Sequence, residues 1–259
     1  MLETLRIGSL ALPAAPLVTI AAFWLALWMT ARAGKRLGLD EDAIFNAGFY
    51  GATGGLIGAR AWYVLEYWSF YQNRLGDIFA LNLQTLAPFE GILTGVVIAT
   101  IYLQRKRVPG AALFDALAPG LATFAAGLSL ANFASGAAFG EVADVPWAIT
   151  LWDARRHPTQ LYDFVLSLGA LLIALRLVQM GQATGRAFGA TIAVLAASRL
   201  LTEGFRGDSE LLAGGWRMMQ FVWLAVLIAA MIVLAWIDTR RAPTQTPEAE
   251  VANESSSGH

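Results

Sequence analysis

Residues 155–163, Arg155-Arg156-His157-Pro158-Thr159-Gln160-Leu161-Tyr162-Asp163, gather cations, an imidazole, an amide and a phenol in one short stretch. Guanidinium presents a fork that matches phosphate oxygens, and imidazole moves protons near neutral pH. The stretch opens directly onto an apolar run, Phe164 to Leu175. Polar side chains at membrane depth are expensive unless used or paired. A dense polar cluster at the mouth of a membrane helix therefore suggests a site for charged headgroups, with Arg156, His157 and Gln160 shaping the mouth. His157 is also a candidate base, although a His before proline at a helix entry commonly serves as a cap.

A second group follows later. Arg199, Glu203 and Arg206 are spaced four and three apart, so on a helix they share one face. Two guanidiniums and one carboxylate leave a positive excess that suits an anion. We expect Arg199 and Arg206 to hold phosphate, with Glu203 orienting one of them. Glu90, in Pro88-Phe89-Glu90-Gly91, enters an apolar run as a lone carboxylate. It either favours the positive end of a helix or, if partly buried, becomes a candidate general base. Arg60 either snorkels to headgroups or reaches a phosphate inside the bundle.

The elements that must position these residues are membrane helices. The mean hydropathy is +0.55 and only 14% of residues are charged, against about 25% in a typical soluble domain. Apolar stretches near the roughly 17–25 residues needed to cross a bilayer recur at about 13–31, 44–65, 88–104, 111–131, 158–178, 187–204 and 216–237. Only helices or closed barrels satisfy backbone groups in lipid. The expected fold is all-α: one polytopic membrane domain over residues 1–241, with about seven transmembrane helices and a small head at 132–157. Gly51/Gly55 and Gly54/Gly58 leave one helix face nearly bare, and Gly91/Gly95 offers a matching face for close packing.

Arg32, Lys35 and Arg36, then Arg105, Lys106 and Arg107, then Arg176 and Arg186, then Arg240 and Arg241 all fall on one side of these spans. The positive-inside rule makes that side cytoplasmic, so the amino terminus and residues 132–157 lie outside. The amino terminus does not read as a cleavable signal peptide, since its basic residues follow the apolar run. Residues 242–259 are polar and read as a disordered cytoplasmic tail. The chain has no cysteine and two histidines, so we expect no disulfide, no thiolate nucleophile, no metal site and no cofactor. A net charge of −1 with no basic patch gives no sign of nucleic-acid binding.

Several of these segments, taken in order, resemble the prolipoprotein diacylglyceryl transferase family of bacterial inner-membrane enzymes. Arg156-His157-Pro158-Thr159-Gln160-Leu161-Tyr162-Asp163 is similar to the family's Arg-His-Pro-Ser-Gln-Leu-Tyr-Glu. Gly58-Ala59-Arg60 and the residues up to Leu65 resemble its Gly-Ala-Arg segment. Asp115, Pro119, Asn132-Phe133, Gly136, Phe139-Gly140 and Pro146-Trp147 follow its long signature. Arg199 to Asp208 resembles its Arg-Phe-Ile-Val-Glu-Phe-Phe-Arg-Glu-Pro-Asp. The resemblance covers roughly residues 15–240. It implies seven spans, an outside amino terminus, and transfer of the diacylglyceryl group of phosphatidylglycerol to the lipobox cysteine of a prolipoprotein. The implied partners are phosphatidylglycerol, the prolipoprotein signal peptide and the bilayer. Asn132 would then hydrogen-bond headgroup or glyceryl oxygens.

The chain departs from the family pattern at telling positions. Glu90 stands where the family has a His thought catalytic, and Ser129 where it has a phosphate-contacting Arg. Ser135-Gly136-Ala137 replaces Asn-Gly-Glu, and Pro13-Ala14-Ala15-Pro16 lies where Arg-Trp-Tyr-Gly is usual. One reading is a divergent transferase with Glu90 as base and Arg199, Arg206 and Arg60 carrying phosphate charge. The other is a catalytically inactive family member that binds phospholipid or lipoprotein. A small-solute transporter is a third class, without the paired Gly/Pro-broken helices it would need.

Overall fold

The computed structural model describes residues 4–7, 10–80, 82, 85–212 and 214–240; the amino-terminal Met1 to Glu3 and the expected tail at 242–259 lie outside the described residues. The chain begins with a hairpin that hydropathy did not foretell, β1 (Thr4–Ile7) paired antiparallel with β2 (Leu10–Pro13). Helices follow: α1 (Ala14–Arg36), α2 (Glu41–Glu66), a short α3 (Trp68–Tyr71) and a 3-10 turn at Leu75–Phe79. Then come α4 (Pro88–Arg105) and α5 (Gly110–Ser135). A second hairpin, β3 (Ile149–Leu151) with β4 (Ala154–Arg156), leads into α6 (Thr159–Gln179), α7 (Arg186–Glu203) and α8 (Met218–Thr239).

Each of the seven expected spans coincides with a helix of 18 residues or more. Four of these, α1, α5, α6 and α8, are long and apolar enough by themselves to cross a membrane. α2, α4 and α7 carry glycine, hydroxyls and charge instead, which dilutes their hydropathy. Local chemistry sets several ends. The Asp40 side chain accepts from the Asp42 N–H at 3.0 Å to cap α2, as short polar side chains do at helix starts. Pro88 opens α4 at a position where its missing N–H costs nothing. Gly136, with φ +73°, ends α5 in the left-handed region.

The packing is inside-out relative to a soluble domain. Ala116, Ala118, Ala122, Ala170 and Ala174 are fully buried, while Ile57, Leu65, Val96, Leu172 and Ile232 point outward and are more than half exposed. Small residues let backbones approach closely where lipid, not water, covers the outside. This is the architecture of an α-helical multi-pass membrane protein. The glycine faces pack on each other as expected: a Cβ on Gly95 would lie 2.6 Å from the Gly51 carbonyl oxygen, and one on Gly55 would lie 2.9 Å from that of Gly91.

α5 is the hub, packed against α1, α6 and α7; α2 joins α4 to α1, and α8 rests on α7. One carboxylate locks the hub. Asp115 of α5 is fully buried and accepts from the N–H groups of Thr184 (2.8 Å), Gly185 (2.8 Å) and Phe188 (3.1 Å). It thereby satisfies donors that the start of α7 would otherwise leave unpaired.

Candidate active site

The segment between α5 and α6 and the turn after α7 form one small platform. Glu141 N–H donates to the Phe205 carbonyl at 2.8 Å, and Gly207 N–H to the Phe139 carbonyl at 2.8 Å. On the other side, His157 N–H donates to Glu141 and Ala143 N–H to Arg155, each at 3.0 Å. Strand-like pairing thus aligns 205–207, 139–143 and 155–157, and β3 completes the layer. Gly140 is required at the centre, where a Cβ would sit 2.2 Å from the His157 carbonyl oxygen. The motif after α7 therefore meets the two segments between α5 and α6 in one hydrogen-bonded layer.

Helix α7 ends at Glu203, so Arg206 does not continue a helical face with Arg199 and Glu203 as expected; it lies in the bridging strand opposite Gly140. The expected positive excess is also overturned, because each guanidinium has a carboxylate. Arg199 donates from Nη1 to Asp163 Oδ2, and Thr202 Oγ1 donates to Asp163 Oδ1 at 2.7 Å. Asp163 is 3% exposed and Arg199 17%. Among the described residues, no hydrogen bond occupies Nε or Nη2 of Arg199, so Asp163 grips one edge and leaves the other available.

Arg206 forms a fork onto Asp208, Nε to Oδ1 at 2.9 Å and Nη2 to Oδ2 at 3.0 Å. Glu203 Oε2 lies 3.8 Å from Arg206 Nε, while Oε1 accepts from Ser209 Oγ at 2.5 Å. Asp208 therefore grips Arg206 directly with Glu203 alongside it, and Asp163 grips Arg199. Burial works against the Arg206 charge, but the Asp208 hydrogen bond and the charges of Asp208, Glu203 and Asp163 outweigh it and raise its pKa. Arg217, at the entry to α8, donates to the Arg206 carbonyl and pairs with Glu141, fixing the backbone beneath Arg206.

His157 stands beside this group. Its ring lies 5.2 Å from that of Phe205, and Nδ1 is 3.1 Å from the Tyr162 hydroxyl, which accepts from Trp147 Nε1 at 2.7 Å. If Nδ1 carries the proton and donates to the phenol oxygen, Nε2 is left with its lone pair. Arg156 donates from Nε to the Leu151 carbonyl (3.1 Å) and from Nη1 to the Gly140 carbonyl (3.3 Å), with its guanidinium 4.9 Å over the Phe139 ring. It braces the platform. Gln160 does not line an open mouth: it is 1% exposed and donates to the Ala137 carbonyl at 2.8 Å, while its Oε1 has no partner among the described residues. Asn132 is half-buried, and its amide makes no hydrogen bond among the described residues. One turn earlier Ser129, 1% exposed, donates back to the Ala125 carbonyl at 2.9 Å. No cation is provided at that place.

Two expected site residues lie elsewhere. Glu90 is half-buried in the first turn of α4, a helix whose packing partner is α2, whereas Arg199 and Asp163 are on α7 and α6. The structure does not gather it into the arginine cluster. Arg60 is spent on the backbone: Nε donates to the Ile78 carbonyl (2.9 Å), Nη2 to Asp77 (2.6 Å) and Nη1 to Thr85 (2.8 Å). It ties Asp77, Ile78 and Thr85 to α2. The residue that sequence reading missed is Asp163, and a signal existed. A lone carboxylate inside an apolar helix needs a partner, and Arg199 was the available one.

The chain matches the prolipoprotein diacylglyceryl transferase family over residues 3–236. It is 32% identical over 248 residues to the phosphatidylglycerol–prolipoprotein diacylglyceryl transferase of Geobacter sulfurreducens, spanning 91% of this chain and 95% of that protein. The proteins of the same name from Acaryochloris marina and Clostridioides difficile are 30% and 29% identical over 247 and 206 residues. These alignments cover 91% and 80% of this chain, and 90% and 83% of those proteins. With a match over nearly its whole length, the chain belongs to the prolipoprotein diacylglyceryl transferase family.

Proposed function

We propose that this protein transfers the diacylglyceryl group of phosphatidylglycerol to the lipobox cysteine of prolipoproteins. The thiol gives its proton to a base, and sulfur attacks the diacylglyceryl carbon that carries the phosphate ester. The C–O bond breaks, a thioether forms, and glycerol phosphate leaves with the bonding electron pair. A leaving phosphate needs cations fixed beside it before the bond breaks. The observation that carries the reading is the pair Arg199 and Arg206, each gripped on one side by a carboxylate, with Arg206 on the platform and Arg199 on the helix that leads into it. The relatives' shared transferase name gives the inactive, lipid-binding reading no support.

In this reading Arg199 and Arg206 hold the phosphate, Asn132 hydrogen-bonds the glyceryl or headgroup oxygens, and Asp163 and Glu203 are positioning residues. His157 is the base, because it shares the platform with Arg206. Glu90 is the second candidate, favoured by a carboxylate that has no ion-pair partner among the described residues. The seven long helices all span a bacterial inner membrane, the platform and amino terminus face the periplasm, and the carboxyl end is cytoplasmic, following the basic residues. The base is tested by offering a lipobox peptide to the wild type, His157→Gln and Glu90→Gln in phosphatidylglycerol proteoliposomes and following the peptide mass. Loss in His157→Gln alone supports the assignment, and loss in Glu90→Gln alone transfers the role to Glu90.

A further inference from the structure

At the end of α4 farthest from Glu90, a crevice of about 450 Å³ opens between α2 and α4. Thr53, Gly54, Ile57, Ile98 and Ile101 line it, an open and largely apolar groove wide enough for an acyl chain. Its mouth has different chemistry. Tyr50 and Tyr102 stack edge-on with centroids 5.2 Å apart, and Arg105 completes the rim. Lys106 Nζ sits 5.8 Å over the Tyr102 ring, and Arg107 follows. Tyrosines at the boundary of an apolar wall mark headgroup depth.

The charges facing this end come from two helix junctions. The α1–α2 junction carries Lys35 and Arg36, followed by Asp40, Glu41 and Asp42. Glu41 is paired with Lys35 at 2.9 Å, and Asp40 caps α2. Arg105 is exposed and has no carboxylate partner or hydrogen bond among the described residues. Apolar walls ending in an unpaired guanidinium complement one ligand class, a chain-bearing lipid with an anionic head.

We propose that this crevice binds one anionic glycerophospholipid of the leaflet at the Arg105 end, with an acyl chain along Ile57, Ile98 and Ile101 and its phosphate on Arg105. The site is separate from the arginine platform and does not depend on the transfer reaction. A phosphatidic acid bearing a photoreactive acyl chain, and a phosphatidylcholine with the same chain, would each be added to the full-length protein in phosphatidylcholine proteoliposomes. Labelled peptides would then be mapped by mass spectrometry. The anionic probe should label residues 50–57 and 98–105 about fivefold more than the zwitterionic one, the ratio expected from roughly 1 kcal/mol for one surface cation. Arg105→Gln should erase that difference, and Ile101→Trp, a bulky apolar residue at an already lipid-facing position, should suppress labelling by both probes. Equal labelling by the two probes in the wild type, an unchanged preference in Arg105→Gln, or labels mapping outside these helices would overturn the proposal.

Discussion

Replacing Asp163 by Asn keeps the shape of the side chain and removes its charge. In the native arrangement one carboxylate oxygen holds Arg199 and the other accepts from Thr202 Oγ1 at 2.7 Å. The amide can keep only one of these as an acceptor; its NH2 must face either the guanidinium, donor against donor, or the Thr202 hydroxyl. The second choice is available, because Thr202 can turn its proton to the Arg199 carbonyl, 3.4 Å away. Folding therefore survives at a cost of about 1–3 kcal/mol, the range for a buried polar group left imperfectly paired. Arg199 fares worse. At 17% exposure it loses its counter-charge without gaining water, and a neutral amide oxygen holds its free edge less firmly in place than a carboxylate. Losing one preorganised charge-stabilising donor typically costs about 100-fold or more in kcat. We expect Asp163→Asn to lower kcat of peptide lipidation by about 100-fold with KM changed severalfold at most. Asp163→Glu, which restores the charge and matches the family's residue at this place, should recover most of the rate. Wild-type kcat in Asp163→Asn, or an equal loss in Asp163→Glu, would refute the idea that Asp163 acts through Arg199.

Three further outcomes follow from the packing. Asp115→Ala strips three N–H groups at the start of α7 of a charged acceptor and should destabilise the protein by about 3 kcal/mol or more; a thermal melt in detergent that is unchanged would contradict the lock. Gly95→Leu forces a side chain where even a Cβ would lie 2.6 Å from the Gly51 carbonyl, so α2 and α4 should separate, read as loss of a cross-link engineered between them. Arg60→Ala releases the carbonyls of Asp77, Ile78 and Thr85 and should speed proteolytic cutting at the Leu75–Phe79 turn; an unaltered cleavage pattern would show that the turn is held otherwise.

The helices were legible because lipid imposes its own signature of long apolar runs and glycines four apart. The Gly51/Gly55 and Gly91/Gly95 faces could even be paired correctly, since a bare helix face needs another. The chemistry was less legible because its geometry is non-local. Arg199 meets Asp163 across 36 positions, and Asp115 caps a helix start about 70 positions on. Arg206 looked like the next turn of α7, but the helix stops at Glu203 and Arg206 pairs as a strand with Gly140. Helical spacing alone could not reveal that stop. Arg60 shows the same non-locality: a cation near a membrane boundary suggested phosphate, yet its guanidinium donates to the carbonyls of Asp77, Ile78 and Thr85, 17 to 25 positions on.

The central claim is that Arg199 and Arg206 hold the leaving phosphate of a diacylglyceryl transfer. Its most direct test is to incubate the purified protein in phosphatidylglycerol proteoliposomes with a lipobox peptide and weigh the cysteine-containing product, with glycerol phosphate measured in the same sample. The account predicts a gain of one diacylglyceryl group per peptide, matched by one glycerol phosphate, and loss of both in Arg199→Ala. No gain by a wild-type protein that still retains phosphatidylglycerol would contradict it and leave a lipid-binding protein on a transferase fold.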